Sequence, residues 1–93
     1  MKKFKYIVVK TYGKNGQELP FMFPFFINHS SMLEGIKTAI VDHHMVSCEL
    51  VSAGFIDHKT LECDGKSETL NCSSRIDEDT KLFQEYSLKD FAL

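Results

Sequence analysis

The stretch FKYIVVKTY, residues 4–12, decides the fold because apolar side chains alternate along an extended chain. One face carries Phe4, Tyr6 and Val8, and the other carries Lys5, Ile7 and Val9. β-Branched and aromatic residues favour a strand, in which successive side chains point to opposite faces of the sheet. The pattern therefore predicts a first strand at these residues.

A turn and a second strand follow this segment. The sequence GKNGQE, residues 13–18, contains two glycines and an asparagine, which are typical of tight turns. The next segment, LPFMFPFF at residues 19–26, is apolar but contains Pro20 and Pro24. Because proline cannot donate a backbone hydrogen bond, we expect an edge strand, or a strand that breaks near Pro24. The two strands are predicted to form a hairpin.

Two helices and two further strands are predicted downstream. Ser31 followed by Glu34 is a capping box, and apolar residues recur behind it at helical spacing, which predicts a helix over residues 31–43. Extended segments are predicted at 45–58, with a bulge near 52–54, and at 61–70, where Asp64-Gly65 allows a bend, and the turn DHKT joins them. The second helix is expected to be capped by Ser73 or Ser74 and to bury a stripe of Ile76, Leu82, Phe83 and Tyr86.

The predicted order of elements is β-β-α-β-β-α within a single domain of residues 1–93. A chain of 93 residues is long enough for one domain and too short for two, and its 43% hydrophobic content can supply a core. We expect an α+β fold, with a small antiparallel sheet of about four strands and both helices on one face.

Composition and charge exclude several classes of protein. No apolar run approaches the roughly 20 residues that cross a bilayer, and Lys10 interrupts the short apolar run near residue 8, so a cytoplasmic protein without membrane contact is predicted. The net charge of −2 argues against nucleic-acid binding. The charge is uneven, however, with five lysines and no acid in residues 1–15 and a net charge of −5 in residues 49–93. The two halves either pair within one fold or form a polarised surface that steers a partner.

Cysteine and histidine residues raise the question of a metal or redox site. The candidates are His43, His44, His58, Cys48, Cys63 and Cys72. Their spacing lacks the close pairs of zinc sites, so no metal site and no cofactor are predicted. We interpret residues 55–72 as a hairpin in which Cys63 faces the core as an inert thiol, while Cys72 lies beside the start of the second helix. A disulfide between Cys63 and Cys72 and a nucleophilic Cys72 are the alternatives.

Several short motifs resemble those of a group of small proteins of tailed phages and prophages, most of them without an assigned activity. The motifs cover most of residues 20–83 and are Phe23-Pro24, His29-Ser30, Val51 to Phe55, Cys63-Asp64-Gly65-Lys66-Ser67, Ser74-Arg75 and Asp79. The resemblance implies a phage or prophage origin and a setting in the host cytoplasm. It implies no catalytic residue.

Two sets of residues are candidates for function. His29 and Ser30 begin the first predicted helix, and with Arg75 they form a candidate site for a small molecule or nucleotide, because free N–H groups at a helix start attract anions. Phe21, Phe23 and Phe25 belong to a strand with more aromatic residues than one sheet face can bury, which indicates a protein-contact surface or a homodimer seam. The leading hypothesis is a non-enzymatic accessory protein that binds a host or phage protein and inhibits or modulates a host system. The alternative is a protein that sequesters a small molecule or nucleotide.

Overall fold

The structure of the protein is a computed structural model that describes residues 4–12, 16–44 and 47–91. For residues 41–44 and 87–91 it describes the backbone. Its elements are β1 (Phe4–Tyr12), β2 (Glu18–Phe23), α1 (His29–His44), β3 (Ser47–Ile56), β4 (Cys63–Asp64), β5 (Lys66–Ser67), β6 (Cys72–Ser73) and α2 (Ile76–Phe91). The predicted α+β class, with two helices and a four-stranded antiparallel sheet, is confirmed. A short β5-β6 hairpin is added before α2.

The main sheet has the strand order β2-β1-β3-β4. The central strand is β1, whose Ile7 lies opposite Phe21 of β2 on one side and Ala53 of β3 on the other. The predicted edge position of the proline-bearing strand is confirmed for β2, which ends at Phe23, directly before Pro24. The predicted break near Pro24 is thus also confirmed, and residues 24–26 lie outside the strand.

The two helices cover opposite faces of the sheet, so the prediction that both lie on one face is wrong. One apolar cluster joins α1 to Ile7, Val9, Phe23 and Ala53 through Ile36 and Ile40. The other joins α2 to Tyr6, Val8, Ile56 and Cys63 through Phe83. The physical reason lies in β1, which carries large apolar side chains on both faces and therefore needs a cover on each.

Strand β3 contains an irregularity and a close backbone approach. Its register with β1 shifts between Val8, which faces Ser52, and Val9, which faces Leu50, so that Val51 is the extra residue. The bulge thus lies directly beside its predicted position. A Cβ at Gly54 would come within 2.4 Å of the Asp64 carbonyl oxygen. Only glycine allows β3 to approach the following segment this closely.

The segment 55–72 forms the predicted hairpin only at its base. Phe55 and Ile56 pair with Asp64 and Cys63, and Asp57 closes the turn by accepting a hydrogen bond from the Lys59 N–H at 2.8 Å. The predicted strand over 61–70 bends at Gly65, whose φ is +77°, as Asp64-Gly65 indicated, and its strand residues are Cys63–Asp64 and Lys66–Ser67. β5 then pairs with β6 as a separate two-stranded sheet.

Neither helix begins with the predicted cap. Asn28 caps α1, since its Oδ1 accepts a hydrogen bond from the Ser31 N–H at 2.7 Å, and the helix starts at His29 instead of residue 31. At the start of α2, the Arg75 N–H donates a hydrogen bond to Asp79 Oδ2 at 2.9 Å. The predicted cap residue Ser74 instead forms a hydrogen bond with the Tyr6 hydroxyl through its Oγ. Ile76 is 56% exposed, so it does not belong to the buried stripe predicted for α2.

Among the helices of the described ranges, none combines the length and the apolar character needed to span a bilayer.

Candidate functional site

A buried polar network binds α2 to the sheet. The Tyr6 hydroxyl lies 2.6 Å from Asp79 Oδ2 and 2.5 Å from Ser74 Oγ. Tyr6 carries a single proton and an ionised carboxylate can only accept, so Tyr6 donates to Asp79 and accepts from Ser74. Burial and the neighbouring Asp79 carboxylate raise the pKa of Tyr6 far above its ordinary value. Both Tyr6 and Asp79 are fully buried, so this network belongs to the interior.

Arg75 extends this network to the start of β2. Its guanidinium lies 3.0 Å from Asp79 Oδ1 and makes a two-pronged contact with the Glu18 carboxylate at 2.9 and 3.2 Å. The paired geometry matches the planar guanidinium to the carboxylate. These hydrogen bonds, above all that with Glu18, raise the pKa of Arg75. Arg75 therefore joins two parts of the protein together, and its charge is already balanced by carboxylates.

The predicted trio of His29, Ser30 and Arg75 is not brought together into one site. His29 packs on the α1 side, between Phe23 and Phe55 with ring centroids 5.5 and 5.8 Å away. Arg75 meets its partners on the α2 side of the sheet. Ser30 donates a hydrogen bond to Asn28 Oδ1 at 2.9 Å and so takes part in the helix cap.

His29 is held firmly in the interior, with only 4% of its surface exposed. Its Nε2 lies 2.9 Å from the Gly54 carbonyl oxygen, which makes Nε2–H the donor. Burial lowers the pKa of His29, and the nearby positive charge of Lys5 acts in the same direction. The imidazole is therefore neutral at neutral pH and is suited to a structural contact or to hydrogen bonding.

His29 borders a small cavity, which we call the basic cavity. It has a volume of about 230 Å³ and is lined by Lys5, Asn28, His29, Phe55, Lys66, Glu68 and Thr69. Within the described part of the chain, no carboxylate lies within ion-pair distance of Lys5 or Lys66. One sequence signal points to this cavity, because Lys5 shares a strand face with the apolar Ile7 and Val9. The cavity itself was missed.

Two exposed phenylalanines lie at the turn after β2. Phe25 and Phe26 are 61% and 76% exposed, and their rings meet edge to face at a centroid distance of 6.0 Å. We call this pair the aromatic tip. Of the three predicted contact residues, only Phe25 belongs to it. Phe23 is a core residue, 2% exposed, and the half-buried Phe21 packs against the α1-side core.

The aromatic tip and the basic cavity lie at the same end of the sheet. The turn is closed by a hydrogen bond of 3.1 Å from the Ile27 N–H to the Pro24 carbonyl, and Asn28 of the cavity follows directly. Phe26 is two residues from Asn28, which places their Cα atoms within about 7 Å of each other. The tip is therefore close to the rim of the cavity along the chain.

The cysteines are free thiols, so the alternative of a disulfide between Cys63 and Cys72 does not hold. Burial raises the pKa of Cys63 to about 11. Burial also raises the pKa of Cys72, the candidate nucleophile, although Arg75 acts weakly in the opposite direction. Cys63 borders a groove of about 460 Å³ between β4 and α2, but its thiol is protonated there. No group of three or more metal-binding side chains is found among the described residues.

No protein-family model, no curated protein and no solved structure matches the chain.

Proposed function

We propose that the protein is a small, non-enzymatic accessory protein of a phage or prophage that binds a host or phage protein through the aromatic tip. It acts in the host cytoplasm, where this contact inhibits or modulates a host system. The observation that carries the proposal is the exposure of Phe25 and Phe26 side by side at 61% and 76%. The short motifs shared with phage proteins supply the setting.

The aromatic tip has the character of an interface anchor. Large apolar side chains on the surface of a small domain cost free energy in water, and aromatic residues are enriched at the centres of protein interfaces. A turn after a strand can be built from polar residues just as well. Two adjacent phenylalanines in this position are therefore explained by a partner that covers them.

The size of the tip constrains the partner. If a phenylalanine has about 200 Å² of accessible surface, the exposed area of Phe25 and Phe26 together is roughly 270 Å². In a stable complex, each partner typically buries about 800 Å². The two rings alone do not make an interface of standard size. The partner must supply a groove for the rings and further contacts around them, and the exposed Asn28 at the rim of the basic cavity is close enough to take part.

Self-association is a second use of the same end of the molecule. Strand β2 forms an edge of the sheet, and edge strands pair readily with other strands. The predicted seam of Phe21, Phe23 and Phe25 has to change, since Phe23 is buried. A homodimer would instead pair the β2 edges, or pack the aromatic tip against a second copy.

The deciding experiment compares three immobilised proteins in host lysate: the wild type, a Phe25→Ser/Phe26→Ser double variant, and an Ile76→Ser variant. Ile76 is a matched control because it is also an exposed apolar residue but lies on α2. We expect one protein to be retained by the wild type and by Ile76→Ser and to be lost from the double variant. Equal retention by all three proteins would contradict the proposal.

Sedimentation across micromolar concentrations separates the two kinds of partner. A wild-type dimer that becomes monomeric in the double variant would show that the tip binds a second copy. A monomer throughout would rule out the homodimer and leave a different protein as the partner.

A further inference from the structure

The basic cavity carries two positive charges that the described fold does not use. Lys5 comes from the central strand β1, and Lys66 comes from β5 of the small hairpin, so the chain brings the two side chains together from distant positions. Arg75 provides the contrast, because its guanidinium is matched to the carboxylates of Glu18 and Asp79. No comparable pairing is found for either lysine within the described ranges.

The other walls of the cavity supply hydrogen-bonding groups and one apolar surface. Asn28 and Thr69 are exposed polar residues, and the half-buried Phe55 forms the apolar wall. Glu68 also borders the cavity, so the formal charge of its lining is +1 with His29 neutral. The start of α1 contributes little attraction for an anion, since the Ser31 N–H already donates its hydrogen bond to Asn28 Oδ1.

We propose that the basic cavity binds a small phosphomonoester, with the phosphate between Lys5 and Lys66 and the ester group against Phe55. Lysine ammonium groups bind phosphate as point charges, and a phosphate dianion matches two of them better than a single carboxylate does. The volume of about 230 Å³ lies below the range typical of drug-sized ligands, which fits a compact anion with a small ester group. This binding function is separate from protein contact through the aromatic tip.

The test uses the whole chain and two probes, inorganic phosphate and phenyl phosphate, followed by NMR titration of backbone amides at low ionic strength. We expect saturable shifts at Lys5, Asn28, Lys66 and Thr69, with phenyl phosphate binding more tightly than phosphate. Lys66→Gln should weaken binding of both probes at least tenfold. Lys66 is exposed, so this variant is expected to fold.

Two variants control for general charge effects and for the aromatic tip. Lys59→Gln removes the same charge from the exposed turn after β3 and should leave both affinities unchanged. The Phe25→Ser/Phe26→Ser double variant should bind phosphate as the wild type does, which separates this inference from the proposed protein contact. The inference is overturned if no saturable shifts appear at millimolar probe, or if Lys59→Gln weakens binding as much as Lys66→Gln.

Discussion

The two faces of the sheet hold their helices by different means. On the α1 face, Ile36 and Ile40 pack against an apolar surface of β1, β2 and β3. On the α2 face, Phe83 packs in a similar way, but the buried Tyr6 and Asp79 form a polar network beside it with the partly exposed Arg75. Helix α1 is held mainly by apolar packing, with one buried hydrogen bond from His29 to the Gly54 carbonyl. Helix α2 is held by apolar packing together with a connected network of hydrogen bonds.

The difference teaches what each kind of contact can specify. Apolar packing stabilises a helix on a sheet but is not directional. Buried hydrogen bonds demand fixed partners, because an unsatisfied polar group in the interior costs free energy. The network therefore defines where α2 begins, and through Glu18 it also ties the start of β2 to that helix. The following predictions test this contrast, from the largest expected effect to the smallest.

Replacement of Asp79 by alanine should have the largest effect on stability. The change removes the acceptor of Tyr6 and of two Arg75 groups, its N–H and its Nε. Loss of one partner of a buried charged network is strongly destabilising. We expect the free energy of unfolding to fall by about 3 kcal/mol, the low end of the range, because Arg75 would still be paired with Glu18. Urea unfolding measures the free energy, with Tyr6→Phe as a milder control. A loss below about 1 kcal/mol would show that the network is not a main support of the α2 face.

Ile36→Ala tests the opposite face by apolar truncation. Ile36 is nearly buried in the α1-side core, so the substitution leaves a cavity between α1 and the sheet. We expect a loss of about 2–3 kcal/mol, the lower part of the range for such changes. The same urea series measures it, and Ile36→Val should cost only about 1 kcal/mol. If Ile36→Ala lowers the free energy of unfolding clearly more than Asp79→Ala does, apolar packing on the α1 face contributes more to stability than the polar network on the α2 face.

Cys63→Ala is a smaller truncation on the α2 face. Cys63 is buried, and we expect a loss on the order of 1 kcal/mol from reduced apolar burial, with partner binding unchanged. Because burial raises the pKa of its thiol to about 11, Cys63 should be the last of the three cysteines to be alkylated in the folded protein. Peptide mapping after timed alkylation gives the order. Fast labelling of Cys63 would mean that this face opens more readily than its packing indicates.

The pH dependence of stability should involve His29, on the α1 face. Its folded pKa lies below the ordinary value of 6.5, so below that pH the unfolded chain takes up a proton that the folded chain does not. Its contribution to stability is complete above about pH 6.5 and is lost as the pH falls towards the folded pKa. His29→Gln should flatten the decline of unfolding free energy below pH 6.5. His58→Gln, a change at an exposed histidine, is the matched control. An unchanged slope in His29→Gln would refute the assignment.

Ser52→Ala should have the smallest effect. Ser52 Oγ is fully buried next to the bulge of β3 and finds no hydrogen-bond partner in the described structure. Removal of an unsatisfied hydroxyl is expected to leave the free energy of unfolding unchanged or to raise it by up to about 1 kcal/mol. Thermal unfolding is sensitive enough to detect the change. A clear destabilisation would show that the hydroxyl is hydrogen-bonded in solution.

Much of the fold follows from local sequence patterns. Alternation along residues 4–12 predicted β1 with its observed bounds, and the prolines predicted the edge position of β2. The placement of the helices did not follow, although the evidence was present in β1, whose two faces are both apolar. A count of apolar residues on each face would have predicted a helix on each side of the sheet.

The candidate site was harder to predict because it depends on distant contacts. Arg75 was interpreted as an anion-binding residue from its position near a helix start, but Glu18 lies 57 residues away in the sequence and satisfies it. Nothing in the sequence links Lys5 to Lys66, since they line one cavity only after β5 folds against β3. Aromatic content predicted a contact surface at Phe21, Phe23 and Phe25, of which only Phe25 is exposed. It could not tell that Phe23 points inward while Phe26 points to solvent.

The hydrogen bond from Tyr6 to Asp79 has a consequence for synthesis on the ribosome. Its two partners are 73 residues apart, so the hydroxyl that β1 must bury stays without its carboxylate until α2 has left the exit tunnel. At about 5–20 residues per second, the early hairpin waits several seconds for this partner. We therefore expect the nascent hairpin to remain only loosely formed and accessible to chaperones during translation, and to become protected in a single late step once α2 emerges.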